Sequence, residues 1–290
     1  MQRFVAFIPA ALVSIIFAGS NIAARVISTT ALSTSLIIMI RMGLVLLCLG
    51  AFMRWKPFRN LASHHTVSLI LAGICNLAIN LGVFYSLKYT SLTNFAMISA
   101  TNPVLTMLLS ALIYRTKLKP KYIFAVILSL IGVMAVVLGK SSASLVALNI
   151  GDLIAVTVAI SWAVYAIVVR HISKVLHAKH VNFGTALITF GLIFSFSLFN
   201  GLDITLLSQL NFTEICAFGY LGAIGTALAY TLFAFSVKEI GPSLTALIAF
   251  SMTPLYTALL AYLFLGEIVT VWQLVGGVMI MISVGLAVSD

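Results

Sequence analysis

The chain has 290 residues, of which 62% are hydrophobic and only 8% are charged. Soluble domains carry about 25% charged residues, so this composition excludes an ordinary soluble domain and indicates an integral membrane protein. The net charge of +10 is interpreted as Lys and Arg in connectors that orient membrane helices, and no nucleic-acid partner is expected.

Ten apolar segments follow one another along the chain, joined by short connectors. At about 1.5 Å per residue, a helix of about 20 residues crosses a bilayer. The sequence therefore predicts an all-α integral membrane fold of ten transmembrane helices surrounded by the lipid bilayer. The N-terminal segment is interpreted as a retained first helix rather than a signal peptide, because so many further spans follow it. The predicted spans are 4–24, 32–53, 66–87, 91–113, 121–139, 151–170, 181–199, 213–236, 243–265 and 271–288.

The connectors alternate in charge along the chain. With the N-terminus inside, twelve Lys and Arg residues fall on the cytoplasmic side and three, Arg25, Lys88 and Lys140, on the outer side. Membrane proteins keep an excess of Lys and Arg in cytoplasmic loops. We therefore expect both termini to be cytoplasmic, in a multi-pass protein of the bacterial inner membrane.

An internal repeat relates the two halves of the chain. When Pro103 is aligned with Pro254, Phe84 falls on Phe235, and a second alignment places Arg25 on Arg170. The predicted repeats are residues 1–140 and 149–290, with five helices each. Because five is an odd number, the second repeat inserts upside down relative to the first, as in transporters whose substrate site lies near the midplane. The alternative is that any two apolar helical hairpins align to some extent.

Small residues and a proline recur in a fixed order in the second half. They are Leu221-Gly222, the run from Gly225 to Tyr230, Pro254, Gly266-Glu267 and Gly276-Gly277. In this order they resemble the EamA-type module of the drug/metabolite transporter superfamily. The resemblance implies ten helices in two related halves, and export or exchange of small metabolites. The first half departs from the pattern, since Arg115-Thr116 stands where the Gly-Glu pair would be repeated.

Arg41 is the only ionisable side chain near the middle of a predicted span. An arginine there costs at least ~2.5–3.5 kcal/mol on insertion scales, so it should face the bundle interior or a wet cavity. One interpretation is an anchor for a substrate carboxylate through a bidentate contact. The other is a structural arginine bonded to carbonyls freed at a broken helix, and the sequence leaves both open.

Polar side chains recur at helical spacing in six of the predicted spans, most of them beside an aromatic residue or a proline. Such stripes suit a cavity that binds a zwitterion with an organic side chain, although interhelical hydrogen bonding gives the same pattern. Pro103 and Pro254 are candidate hinges, because each is predicted to bend a helix. The candidate substrate-binding residues are Arg41, Asn21, Asn76, Asn80, Asn102, Trp162, Tyr165, Thr226, Tyr230 and Tyr256.

Cysteine, histidine and acidic residues predict neither catalysis nor a metal site. The three cysteines lack CxxC spacing, and all five histidines fall in predicted cytoplasmic connectors. An intramembrane enzyme would need a nucleophile with a base, or metal ligands, at depth. We therefore expect no enzymatic activity, no cofactor and no metal. With no acid or histidine in the middle of a span, we also expect facilitated diffusion or exchange rather than obligatory proton antiport.

The function predicted from the sequence is secondary transport by alternating access. The preferred substrate is an amino acid or a related small metabolite that is exported or exchanged. An uptake carrier, a multidrug or vitamin-type permease, and a channel or structural helix bundle are the alternatives. The sequence does not decide between a monomer and a dimer.

Overall fold

Ten long helices account for nearly all of the described residues. The computed structural model describes residues 2–28, 30–51, 65–89, 95, 98–99, 101–115, 120–138, 150–200, 204–265 and 271–288. The helices are α1 Gln2–Ser28, α2 Thr34–Gly50, α3 Thr66–Tyr89, α4 Asn102–Tyr114, α5 Pro120–Leu138, α6 Ile150–Ile172, α7 Ala178–Asn200, α8 Phe212–Ile240, α9 Pro242–Leu265 and α10 Val271–Val288. A short 3₁₀ turn, Thr205–Gln209, precedes α8.

The helix ends carry local signals that the sequence encodes. The Ser33 side chain accepts a hydrogen bond from the Leu36 backbone at the start of α2. Asn211 and Glu214 form a reciprocal capping box at the start of α8. Gly241 joins α8 to α9 with a φ of +87°, which favours glycine, and Pro242 then occupies the first position of α9.

The helix surfaces agree with a membrane environment. Five helices combine the length and the apolar character of a bilayer span, namely α1, α3, α6, α7 and α8, and shorter apolar helices accompany them. Large apolar side chains cover the outside of the bundle, such as Leu47 at 73% exposure and Phe199 at 92%. In water such a surface would aggregate, whereas lipid solvates it. The predicted all-α membrane fold is confirmed.

Helix pairing follows the two repeats. Helix α3 packs on α6 and α7, and its counterpart α8 packs on α1 and α2. Helix α2 packs on α7, α4 on α9 and α5 on α10, so that each of these helices contacts its own counterpart. These are the contacts expected if a two-fold axis relates α1–α5 to α6–α10. In such an arrangement the two repeats meet near the middle of the membrane.

The α5–α10 pair has a backbone approach that only glycine permits. A Cβ atom added at Gly132 would lie 2.8 Å from the Gly276 carbonyl oxygen and 3.1 Å from the Ile280 nitrogen. Backbone atoms cannot rotate away as a flexible side chain can. Small residues at such contacts let membrane helices associate closely.

We expect Gly132→Ala to lower the free energy of unfolding by about 1–3 kcal/mol, because the added methyl group overpacks this contact. Gly191→Ala is the matched control, since nothing lies within 4 Å of a Cβ added there. The thermal midpoint of detergent-purified protein should fall for the first variant and not for the second. Equal midpoints for both variants would contradict the close approach.

Candidate functional site

Arg41 in α2 is buried and has neutral partners on two other helices. Its Nε donates to the Thr226 hydroxyl of α8 at 2.7 Å, and its Nη1 donates to Asn80 Oδ1 of α3 at 2.8 Å. The guanidinium also interacts with the hydroxyl of Tyr230. No carboxylate among the described residues pairs with it, so within this part of the chain the buried positive charge has only neutral partners.

A chain of hydrogen bonds runs from Arg41 through α3 to α7. Arginine can only donate, so Asn80 presents its oxygen to Arg41 and its Nδ2 donates onward to Asn76 Oδ1 at 3.0 Å. Asn76 Nδ2 donates in turn to the Thr189 hydroxyl at 3.1 Å. Every acceptor therefore faces the cation and every donor points away from it, an orientation that stabilises the buried charge.

Helix α8 leaves the α-helical register where it meets Arg41. Residues Tyr220–Leu228 form a π-helical segment, and the Ala229 backbone N–H bonds to the Ile224 carbonyl five residues earlier. The Thr226 hydroxyl donates to the Leu221 carbonyl at 2.7 Å and accepts from Arg41. Single π-helical segments inside α-helices are frequent at functional sites. Helix α8 here presents both Thr226 and Tyr230 to the cation.

Asn182 of α7 donates hydrogen bonds to the backbone carbonyls near the end of this π-helical segment. Its Nδ2 lies 3.1 Å from the Thr226 carbonyl, 2.9 Å from the Ala227 carbonyl and 3.1 Å from the Thr231 hydroxyl. Thr189 lies two turns further along α7 and holds Asn76. Hydrogen bonds thus lead from Arg41 through α8 to Asn182 and through α3 to Thr189, and helix α7 itself connects Asn182 to Thr189. We call this set the polar ring; its residues are Arg41, Thr226, Asn182, Thr189, Asn76 and Asn80.

An aromatic cluster lies beside the polar ring. Trp162 is at its centre, with ring centroids 5.3 Å from Tyr230 and 5.1 Å from Phe250. Its members come from α1, α6, α8 and α9, so the cluster joins both repeats. The members are Phe17, Trp162, Tyr165, Tyr230, Phe233 and Phe250.

Tyr230 belongs to both groups, since it interacts electrostatically with Arg41 and its ring contacts Phe17, Trp162 and Tyr165. The Tyr165 hydroxyl is fully buried near Thr185 and makes no hydrogen bond of normal geometry with the described residues. Buried hydroxyls are almost always paired, so this one calls for a ligand or another conformational state. The site therefore offers a cation, a polar wall and an aromatic wall in contact with one another.

Seven of the candidate residues predicted from the sequence come together here, namely Arg41, Asn76, Asn80, Trp162, Tyr165, Thr226 and Tyr230. Asn21 bonds instead to Thr257 at 3.3 Å, and Asn102 donates to the Ala159 carbonyl of α6 at 3.0 Å. Tyr256 is half-buried in α9. These three residues lie on helices α1, α4 and α9, outside the polar ring.

The two candidate hinges differ in their positions. Pro103 lies in the first turn of α4, where the missing N–H costs no helical hydrogen bond. Pro254 lies inside the continuous helix α9, Pro242–Leu265. The predicted span 91–113 has Pro103 near its middle, whereas the described helix α4 begins at Asn102. Part of that predicted span lies outside the described residues.

Sequence reasoning missed the polar face of α7, formed by Asn182, Thr185 and Thr189. All three are buried, at 1% exposure or less. Their spacing of three and four residues is the same helical pattern that identified the other stripes, so the signal was present. The predicted location of the histidines was also wrong in part, since His180 lies in the first turn of α7 and is 5% exposed.

The described residues assemble no group of three His, Cys, Asp or Glu side chains that could hold a metal ion. The described cysteines are free thiols. The site instead combines one charge, several neutral polar groups and aromatic rings near the interface of two repeats, which is where inverted-repeat carriers bind their substrates. The fold and the site define an inverted-repeat membrane transporter.

Comparison with known proteins agrees with this class. The model of the EamA-like transporter family matches the chain twice, over residues 5–138 and 149–289. The chain is 29% identical over 223 residues to "Uncharacterized transporter YyaM" of Bacillus subtilis, covering 76% of this chain and 72% of that protein. It is 26% identical over 221 residues to an "Uncharacterized transporter" of Clostridium kluyveri, covering 74% and 70% respectively.

A solved crystal structure shares the fold, with a TM-score of 0.76, 18% identity and 96% coverage of both chains. Since the family model covers both halves, the protein belongs to the EamA-like transporter family. It is a multi-pass membrane protein with a small-molecule substrate, and its family is one of transporters rather than enzymes.

Proposed function

We propose that this protein exports or exchanges amino acids or related small metabolites across the bacterial inner membrane by alternating access. The observation that supports it most strongly is Arg41, a buried cation with only neutral partners among the described residues. A substrate carboxylate would supply the missing negative charge. Charge-assisted hydrogen bonds of this kind are about twice as strong as neutral ones.

The aromatic cluster supports an organic substrate rather than an inorganic anion. Tyr230 joins the cluster to Arg41, so a ligand that reaches the guanidinium would also contact aromatic rings. The unpaired Tyr165 hydroxyl offers one further polar contact on this side. A carboxylate joined to an apolar or aromatic group satisfies all three features.

The test is a screen of radiolabelled amino acids, nucleosides and vitamins with the full chain in proteoliposomes. We expect saturable uptake of one or more amino acids and faster uptake into vesicles preloaded with the same compound. Such counterflow requires a carrier, whereas a channel gives a flux that does not depend on preloading. Transport only of compounds without a carboxylate would contradict the proposed role of Arg41.

Both termini are proposed to be cytoplasmic, because the even number of spans and the excess of Lys and Arg in alternate connectors require it. We expect alkaline phosphatase fused after Asp290 to be inactive in bacteria, since it folds only outside the cytoplasm. A green fluorescent protein fused at the same position should fluoresce. The opposite pair of results would overturn this orientation.

Pro103 and Pro254 are proposed as points where α4 and α9 adjust during alternation between the inward-open and outward-open states. The support is their match in the repeat alignment and the direct packing of α4 on α9. Pro254, inside α9, removes one helical hydrogen bond and so lowers the resistance of that helix to bending, whereas Pro103 costs no such bond and fixes the backbone where α4 begins. Unchanged transport rates in both Pro103→Ala and Pro254→Ala would remove this role.

A further inference from the structure

Asn182 is the link between the π-helical segment of α8 and the rest of the polar ring. It is 1% exposed and lies on α7, whereas all three of its Nδ2 acceptors lie on α8. A π-helical segment widens the backbone and leaves carbonyls without their usual partner four residues later. Within α8 the Thr226 carbonyl accepts from the Ala229 N–H and the Ala227 carbonyl accepts from the Thr231 hydroxyl. Asn182 adds a donor from α7 to both carbonyls, which stabilises this register.

We propose that Asn182 is the positioning residue that holds α8 in its π-helical register and thereby places Thr226 against Arg41. The Thr226 carbonyl bonds to Asn182 while the hydroxyl of the same residue bonds to Arg41 Nε. In an α-helical register, residues within the segment would rotate around the helix axis, and residues beyond it would rotate by about 100°. The Thr226 hydroxyl would then leave Arg41, and Tyr230 one turn later would turn with it.

Thr226 connects the register of α8 to Arg41, because its carbonyl bonds to Asn182 and its hydroxyl bonds to the guanidinium. Thr231 adds to this link, since its hydroxyl accepts from Asn182 and donates to the Ala227 carbonyl. Two turns further along the same face of α7, Thr189 holds Asn76, so one helix positions residues of both α8 and α3 around Arg41. This inference rests on the proposed function only where it concerns substrate binding, because the register of α8 is a property of the protein alone.

The first experiment needs no substrate. Hydrogen exchange of the full chain in nanodiscs, read by mass spectrometry, reports the protection of the amides in Tyr220–Leu228. Asn182→Leu and Asn182→Asp keep the size of the side chain and remove its donors. We expect exchange in this segment to rise about 10-fold or more, as expected when hydrogen bonds worth about 1.4 kcal/mol are lost. Ser197→Ala is the matched control, because Ser197 is buried on α7 and its hydroxyl bonds, among the described residues, only to the Ile193 carbonyl of its own helix.

The second experiment uses L-leucine and L-leucinamide as probes, since they differ only in the carboxylate that Arg41 would bind. We expect Asn182→Leu to weaken L-leucine binding about 10-fold and to leave L-leucinamide binding unchanged. Equal weakening of both probes would overturn the positioning role. If wild-type protein binds neither probe, leucine is not a substrate, the transport screen decides the substrate class, and the hydrogen-exchange experiment decides the role of Asn182.

Exchange in Tyr220–Leu228 equal to that of the wild type would overturn the inference. A rise spread equally over all helices would also overturn it, because that is the result of a purely structural residue. If Asn182→Leu cannot be purified, Asn182→Asp and the milder Thr231→Val decide the question, the latter with a smaller rise confined to the same segment. Unchanged amide exchange in Tyr220–Leu228 of both variants would contradict the proposal.

Discussion

Arg41→Leu is expected to lower the rate of transport at low substrate concentration by roughly 10- to 150-fold while the protein still inserts and purifies. Leucine removes a charge that costs about 2.5–3.5 kcal/mol at the centre of a span, so insertion becomes easier. Asn80 and Thr226 lose their donor, but Asn80 keeps Asn76 and Thr226 keeps the Leu221 carbonyl. The substrate carboxylate loses a charge-assisted contact worth about 1.5–3 kcal/mol, or roughly 10- to 150-fold in affinity.

The measurement compares the initial rate of uptake with the monodisperse yield after detergent extraction. Arg41→Lys keeps the charge but not the planar fork that reaches Asn80 and Thr226 together, so an intermediate rate is expected. Arg25→Leu is the control, because Arg25 is exposed at the end of α1. Loss of yield with a normal specific rate for Arg41→Leu would show that the arginine is structural and not a substrate contact.

A pH gradient alone is expected to drive no uphill accumulation of substrate in proteoliposomes with the membrane potential clamped. Proton-coupled carriers titrate an acid or a histidine within the membrane. The polar ring consists of one arginine, which does not release its proton, and neutral amides and hydroxyls. Preloaded substrate, in contrast, should accelerate uptake, since exchange requires only a carrier that alternates between two states.

Three side chains decide whether this expectation about coupling holds. Glu214 serves as the capping residue at the start of α8, and its carboxylate accepts from the Asn211 backbone at 2.9 Å. His180 is buried in the first turn of α7, and Glu267 lies outside the described residues. Gradient-driven accumulation that Glu214→Gln, His180→Gln or Glu267→Gln abolishes would contradict the prediction. Glu239→Gln is the control, because Glu239 is exposed at the end of α8.

The location of His180 shows how far helix boundaries can be predicted from hydropathy. The sequence placed the seventh span at 181–199, whereas α7 is Ala178–Asn200. Lys179 and His180 lower the local hydropathy, yet the backbone bonds of the first turn form regardless of side-chain polarity. A boundary error of three residues moved a buried histidine into a connector.

Local composition and periodicity were sufficient for the fold class and the number of helices, and they singled out Arg41, which the structure buries among polar side chains. A span must satisfy all its backbone polar groups internally and present apolar side chains to lipid, so it is visible in any window of about 20 residues. The predicted candidates Asn76, Asn80, Thr226 and Tyr230 were identified because helical spacing places such residues on one face.

The tertiary structure decided which of these faces meet. Asn21, Asn102 and Tyr256 carry the same helical pattern as the residues of the polar ring, but their helices direct them to other partners. The π-helical register of Tyr220–Leu228 has no periodic signal, because it depends on Asn182, which is 44 residues away from Thr226 in the chain. Contacts between distant residues depend on how helices pack, and packing is a property of the whole bundle rather than of any one segment.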